Sequence, residues 1–308
     1  MKIVVGVDGS SNSFAAVEFV GRLVSPDSDQ LVLLFATPSI SMQEEHLDPV
    51  VEERARSALS RTVLDAAIDR LPEAWRDRAE TRMAEGSASS ALLDTAKGDG
   101  ADLIVVGFQG SGRLIEQFVL GSVSRTVVHS AAVPVLVVKS GAEIEKGASG
   151  SESKSDFRAL AAYDEFTAAE KMAALLARVT WPEGTRGWMV TVVPPMFHAE
   201  LPEWIKIERD PDVSAMADAW QKEHQQQTTA AREALERFRT TLPDCFARGE
   251  IIVAEGRPAE VIVKKVRELT INLVVIGSRG RGPIKRLLLG STSEQVLNLA
   301  PCSVLIVR

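Results

Sequence analysis

Two glycine-rich segments carry residue types suited to holding an anion. The stronger runs Val274-Val275-Ile276-Gly277-Ser278-Arg279-Gly280-Arg281-Gly282, continues through Pro283 to Leu289, and closes in Gly290-Ser291-Thr292-Ser293. Branched apolar residues there lead into glycines that tolerate positive φ and let a ligand approach the backbone. Ser291 stands where the free N–H groups of a helix start would face negative charge. That is the composition of a phosphate cradle. A looser copy occurs at Leu103-Ile104-Val105-Val106-Gly107-Phe108-Gln109-Gly110-Ser111-Gly112, ending in Leu120-Gly121-Ser122-Val123-Ser124. The chain is built twice.

The elements that must position these loops follow from apolar patterning. Ile3 to Val7 is a continuous branched run, the signature of a central parallel strand covered on both faces, and it ends in Asp8-Gly9-Ser10. Ser11, Asn12 and Ser13 offer capping oxygens to a helix with Phe14, Val17, Val20 and Leu23 at helical spacing. Leu31 to Ala36 predicts a second strand. Glu44 to Leu71 predicts a helix whose inward stripe is Leu59, Val63, Ala66 and Ala67 or Ile68. Thr81 to Glu85, the run from Leu103, and Val133 to Val138 supply further strands, with helices from Ser89 to Lys97 and through Val128. In the second half Phe157 to Tyr163 is a strand with Asp164 at its end, Thr167 to Val179 a helix, and Trp188 to Val193 a strand. A long helix over Val213 to Arg239 and a strand at Ile251 to Ala254 follow. Glu255-Gly256 matches Glu85-Gly86, and Ala300 to Arg308 matches Ala131 to Lys139. Alternating strands and helices predict a doubly wound parallel α/β sheet in each half, with ligands beyond the carboxyl ends of the strands. The expected divisions are 1–139 and 157–308, joined by a Gly-, Ser-, Lys- and Glu-rich linker at 140–156.

Composition bounds the function. The chain has 308 residues, 45% of them hydrophobic, and a formal net charge of −7, which speaks against a nucleic-acid partner. No apolar run approaches a bilayer span, and the start of the chain reads as a strand, so a cytoplasmic protein with no membrane partner is expected. Cys245 and Cys302 read as reduced, packed thiols. His46, His129, His198 and His224 lack metal-ligand spacing, and no Walker A motif, Rossmann glycine triplet or nucleophile elbow occurs. No catalytic residue and no metal ligand is assigned.

At this level of detail both halves resemble universal stress protein domains, and the chain resembles a tandem member of that family. The resemblance rests on Asp8-Gly9-Ser10, on Glu85-Gly86 and Glu255-Gly256, and on the glycine signature. In the ATP-binding branch that signature is Gly, two residues, Gly, nine residues, Gly and then Ser or Thr, a spacing met by Gly277, Gly280, Gly290 and Ser291. The first half departs by one extra residue between Gly110 and Gly121 and by Phe108-Gln109 in place of Ser278-Arg279. The second half carries Glu165-Phe166 after Asp164, where Gly and Ser are expected.

The resemblance implies two five-stranded sheets packed as an internal pseudo-dimer, and binding of ATP, AMP or ADP, with or without Mg2+. It places Asp8, Gly9 and Asp164 beside the nucleoside and Ala36 and Val192 against the adenine. Gly107, Gly110, Ser111, Gly112, Gly121 and Ser122 would surround one phosphate tail, and Gly277, Arg279, Gly280, Arg281, Gly282, Gly290, Ser291 and Thr292 the other. Lys285 and Arg286 add charge to the second loop, so tighter binding is expected there unless Phe166 fills the pocket, and residues 194–211 are read as a flap over it. The expected role is a nucleotide-responsive regulator acting on a protein partner, with room for association into a homodimer. Two alternatives stand beside it: a slow ATPase or adenylyl-transferring enzyme, and a scaffold with relic pockets whose fifth strands, Val133 to Val138 and Ser303 to Val307, pair edge to edge.

Overall fold

The computed structural model describes residues 1–37, 48–109, 120–140, 157–164, 169–195, 211–278 and 289–308. The first half runs β1 (Lys2–Val7), α1 (Ser11–Gly21), β2 (Gln30–Thr37), α2 (Pro49–Ile68), β3 (Glu80–Glu85), α3 (Ala88–Gly98), β4 (Leu103–Gly107), α4 (Ser122–Ser130) and β5 (Val135–Val138). The second runs β6 (Arg158–Ala162), α5 (Ala169–Leu176), β7 (Arg186–Val193), α6 (Pro211–Arg239), α7 (Asp244–Ala247), β8 (Ile251–Glu255), α8 (Pro258–Glu268), β9 (Leu273–Gly277), α9 (Ser291–Leu299) and β10 (Ser303–Val307).

All the strands form one ten-stranded sheet in the order β3-β2-β1-β4-β5-β10-β9-β6-β7-β8. Each half is parallel within itself and reverses direction of winding between its first and fourth strands. The halves meet through an antiparallel pairing of β5 with β10, in the register Val137 to Val304, Leu136 to Leu305 and Val135 to Ile306. The two expected five-stranded sheets are therefore continuous. Because the seam is antiparallel, the carboxyl ends of the two sets of strands open on opposite edges of the sheet.

Continuous apolar strands serve both faces, as side chains alternate along an extended chain. Ile3, Val5 and Val7 join one buried cluster with Val17 of α1, Leu64 of α2, Leu176 of α5 and Leu235 of α6. Val4 joins a second with Leu92 of α3, Val127 of α4, Val263 of α8 and Val296 of α9. Each cluster draws on both halves. In α2 the inward stripe is shifted from the expected one: Leu64 and Ala67 are buried beside Ser60, with Val63 and Ile68 packed at its edge, whereas Leu59 is 54% exposed. Ser60 tolerates burial because its hydroxyl donates to Arg56 C=O at 2.8 Å, which leaves Leu59 turned about 100° away on the outer surface. The short helix α7, a single turn of 3-10 helix at Glu73–Trp75, and α8 lie between the expected elements.

Reciprocal contacts close the seam. Lys139, just past β5, donates from Nζ to Leu297 C=O at 2.7 Å and Ala300 C=O at 2.5 Å at the carboxyl end of α9. Arg308, at the matching position past β10, donates to Val128 C=O at the carboxyl end of α4. Each half thus supplies a cation to the negative end of the other half's helix. At the opposite edge of the first half, Arg178 grips Asp102 through two bonds of 2.8 and 2.9 Å. The Arg178 guanidinium holds the Asp102 carboxyl below its usual range.

Burial lowers the Lys139 ammonium from 10.5 to about 8. From about pH 8 to about pH 10.5 the folded chain holds fewer protons at Lys139 than the unfolded chain, so the stability that depends on this group rises with pH. Between pH 8 and pH 9 the wild type should gain about 1 kcal/mol of unfolding free energy relative to Lys139→Met. Urea titrations of both proteins at the two pH values check this, and an unchanged difference would refute the assignment.

Candidate nucleotide pocket

In the first half, sheet order brings β1 beside β4 and β2, so that Asp8, Ala36 and Gly107 converge at one set of strand ends. The turn after β1 is organised by Asp8, whose Oδ1 accepts from the Ser10 N–H at 3.0 Å and the Ser10 hydroxyl at 2.5 Å. Ser10 in turn caps α1, accepting from Ser13 N–H at 3.2 Å. Gly9 sits at φ 79°, a conformation that disfavours a side chain and lets the chain reverse directly after the strand.

The path out of β4 is pinned at both ends. Phe108 N–H donates to Val138 C=O at 2.8 Å, Gly121 N–H returns to Phe108 C=O at 2.8 Å, and the Ser124 hydroxyl donates to Gly107 C=O at 2.6 Å. In the second half Ser278 N–H donates to Val307 C=O at 2.7 Å, Gly290 N–H to Ser278 C=O at 2.8 Å, and the Ser293 hydroxyl to Gly277 C=O at 2.7 Å. The closures are the same, so the extra residue of the first half is absorbed between Phe108 and Gly121. Gly107 passes so close to α1 that an added Cβ would lie 2.8 Å from the backbone carbon and oxygen of Asn12.

Gly121 and Gly290 occupy the N-cap positions of α4 and α9, and neither helix has a side-chain cap. No side chain at the cap position takes the first-turn N–H groups of either helix, the donors that an anion would meet. A cavity of about 600 Å³ opens at this point in the first half. It is bordered by Asp8, Ala36, Gly107, Gly121 and Ser122, five of the residues expected from sequence, together with Leu34, Ala88, Leu92, Val106, Gln109 and Arg125. Leu34, Ala36, Leu92 and Val106 give it an apolar lining, and Gly107, Gly121 and Ser122 bring backbone and the start of α4 to it. The volume and this polarity match a small-molecule site. Leu34, Leu92 and Arg125 were not singled out by motif. Leu92 was detectable only as the residue one helical turn beyond Ala88.

Gly9, in the turn after β1, does not border the cavity, and the other expected residues divide in two. Asp164, Val192, Gly277, Gly290, Ser291 and Thr292 lie on the matching elements of the second half, with β6 flanked by β9 and β7 as β1 is by β4 and β2. Gly110, Ser111, Gly112, Arg279, Gly280, Arg281 and Gly282 lie outside the described residues, as do Phe166, Lys285, Arg286 and most of the expected flap. Phe108 is buried but does not border the cavity; its ring lies 4.3 Å beneath Lys139 Nζ. The replacement of Ser by Phe thus points into the seam.

Neither cysteine is poised for reaction. Burial pushes Cys302 up to about 12 and Cys245 up to about 11, so both remain thiols near neutrality. His224 pairs with Glu255 at 3.1 Å. Among the described residues no helix is long and apolar enough to cross a membrane.

Comparison with known proteins agrees with the duplicated plan. Residues 1–139 and 205–308 match the universal stress protein family, and the chain belongs to it. It is similar to a universal stress protein of Mycolicibacterium smegmatis, 27% identical over 312 residues that cover 99% of this chain and 96% of the relative. A universal stress protein of Mycobacterium tuberculosis is 27% identical over 320 residues, covering 99% and 96%. The crystal structure of a universal stress protein from Archaeoglobus fulgidus superposes with a TM-score of 0.64 at 21% identity, over 100% of this chain and 98% of that one, and so shares its fold.

Replacing Gly107 by Ala should lower stability by about 1–3 kcal/mol, since the methyl must displace backbone. Gly98→Ala, where an added Cβ meets nothing within 4 Å, should be neutral or stabilising. Denaturant midpoints of the two variants check the contrast.

Proposed function

We propose that this chain is an adenine-nucleotide-binding regulatory protein, with one site in each of the segments 1–139 and 157–308 and a linker at 140–156. The observation that carries this reading is the cavity in which Asp8, Ala36, Gly107, Gly121 and Ser122 converge at the switch point of the first half's strand order. Leu34, Ala36 and Leu92 offer an apolar slot for a purine. Asp8 stands at the adjoining strand end, where a carboxylate can accept from ribose hydroxyls. The N–H groups of Ser122 and Val123 at the start of α4, which has no side-chain cap, offer donors to phosphate oxygens. ATP, ADP and AMP share the recognised groups, and Mg2+ would enter with the phosphates. Binding is linked to function through association with a protein partner that differs between the nucleotide-filled and empty forms. The second site would use Asp164, Val192, Gly277, Gly290, Ser291 and Thr292 in the same roles.

The test begins with denaturation of freshly purified protein and chromatographic identification of any nucleotide released, followed by calorimetric titration of the nucleotide-free protein with ATP. One to two adenine nucleotides per chain are expected. Ala36→Trp, which fills the apolar slot, should weaken the first site by about 100-fold or more while leaving the fold intact by circular dichroism, because the added indole occupies the volume the purine needs. A nucleotide-free protein that takes up no ATP at millimolar concentration would sink the proposal.

A further inference from the structure

The first turns of α4 and α9 differ in one charge. Gly121-Ser122-Val123-Ser124-Arg125 and Gly290-Ser291-Thr292-Ser293-Glu294 start the two helices in matching positions, and the last residue of each is reversed in sign. Glu294 is where a helix favours it, because the amino end of a helix carries partial positive charge; Arg125 is where a helix alone disfavours it. Arg125 borders the cavity and is exposed. It makes no ion pair with a carboxylate among the described residues. Among the described residues no carboxylate offsets its cost to the helix, while its position suits an anion arriving from the cavity.

The loops differ in the complementary sense. The first loop, 110–119, carries Arg113 and Glu116, which cancel, whereas 279–288 carries Arg279, Arg281, Lys285 and Arg286. In the first half the cation has moved from the loop to the helix.

We infer that Arg125 is the residue by which the first-half pocket selects nucleotides with an extended phosphate tail over monophosphates. This rests on the nucleotide-binding reading of the same pocket. The helix N–H groups suffice for one phosphate, and the Arg125 guanidinium offers a planar pair of donors to the next, which a monophosphate lacks.

The test compares ATP and AMP affinities of the full-length, nucleotide-free protein by calorimetry, the first-site signal being the component lost in Ala36→Trp. Arg125→Gln should weaken ATP about 10-fold at low salt and AMP less than about 2-fold, with Arg125→Lys recovering part of the loss. The ATP effect should shrink as ionic strength rises. Thermal unfolding of the ligand-free Arg125→Gln and Arg125→Glu proteins should occur at the same or higher temperature than wild type, which separates a ligand role from a structural one. An ATP-to-AMP ratio unchanged in Arg125→Gln, with ATP still bound, overturns the role of Arg125 and leaves the pocket standing. A wild-type protein that binds neither nucleotide overturns both.

Discussion

The backbone pairing of β5 with β10 is the constraint on which the rest of this molecule depends. Val135, Leu136, Val137 and Val138 are buried, as are Val304, Leu305, Ile306 and Val307, so neither strand could stand as a free edge without exposing apolar side chains and unpaired backbone groups together. Joining them completes two buried layers that each draw on both halves. The antiparallel sense then dictates that the strand ends carrying Asp8 and Gly107 face away from those carrying Asp164 and Gly277. Two copies of one plan become a pseudo-symmetric unit that shares a core.

Between β4 and α4 the structure meets a different problem, which is to leave a strand, cross the sheet edge and start a helix with its N–H groups unmasked. The bonds from Phe108 and Gly121 and from the Ser124 hydroxyl satisfy the groups at the ends of that crossing without capping the helix. Gly at the cap position removes the side chain that would ordinarily cap the first turn, and neither helix has a side-chain cap. The same bonds recur at Ser278, Gly290 and Ser293. Such repetition across two diverged sequences marks the crossing as a device whose geometry is constrained more tightly than its residues.

Three divergences between the halves fall where the seam and the cavity make different demands. Phe108 replaces the counterpart Ser278 and lies beneath the Lys139 ammonium; Lys139 and Arg308 exchange helix ends across the sheet with different reach; Arg125 and Glu294 reverse the charge at two equivalent helix starts. The first pair belongs to packing and the last to the pocket mouth, although in the sequence all three look like the same kind of departure.

Much of this was legible from residue order. The β-branched runs at Ile3 to Val7 and Leu103 to Val106, the Asp-Gly-Ser after the first strand, and the spacing from Gly277 to Ser291 name the elements and the turns because they are local: a strand buried on both faces must be continuously apolar, and a turn with positive φ must carry glycine. Leu59 was misjudged because a helix's inward face depends on which neighbours pack against it, and the buried position went to Ser60, a residue whose hydroxyl can be satisfied within its own helix. Arg125 was overlooked because no motif marks a cation at a helix start; only the cavity beside it gives the residue a meaning. The sequence by itself determined the alternating elements, the duplication and the glycine turns, since these follow from backbone preference and short-range periodicity. The edge-to-edge pairing of the fifth strands was expected only as one alternative, and the tertiary structure decided its antiparallel sense and register, the bracing of each half by Lys139 and Arg308, and the place of Leu34, Leu92 and Arg125 beside the cavity, because each of these depends on long-range pairing that no local pattern encodes.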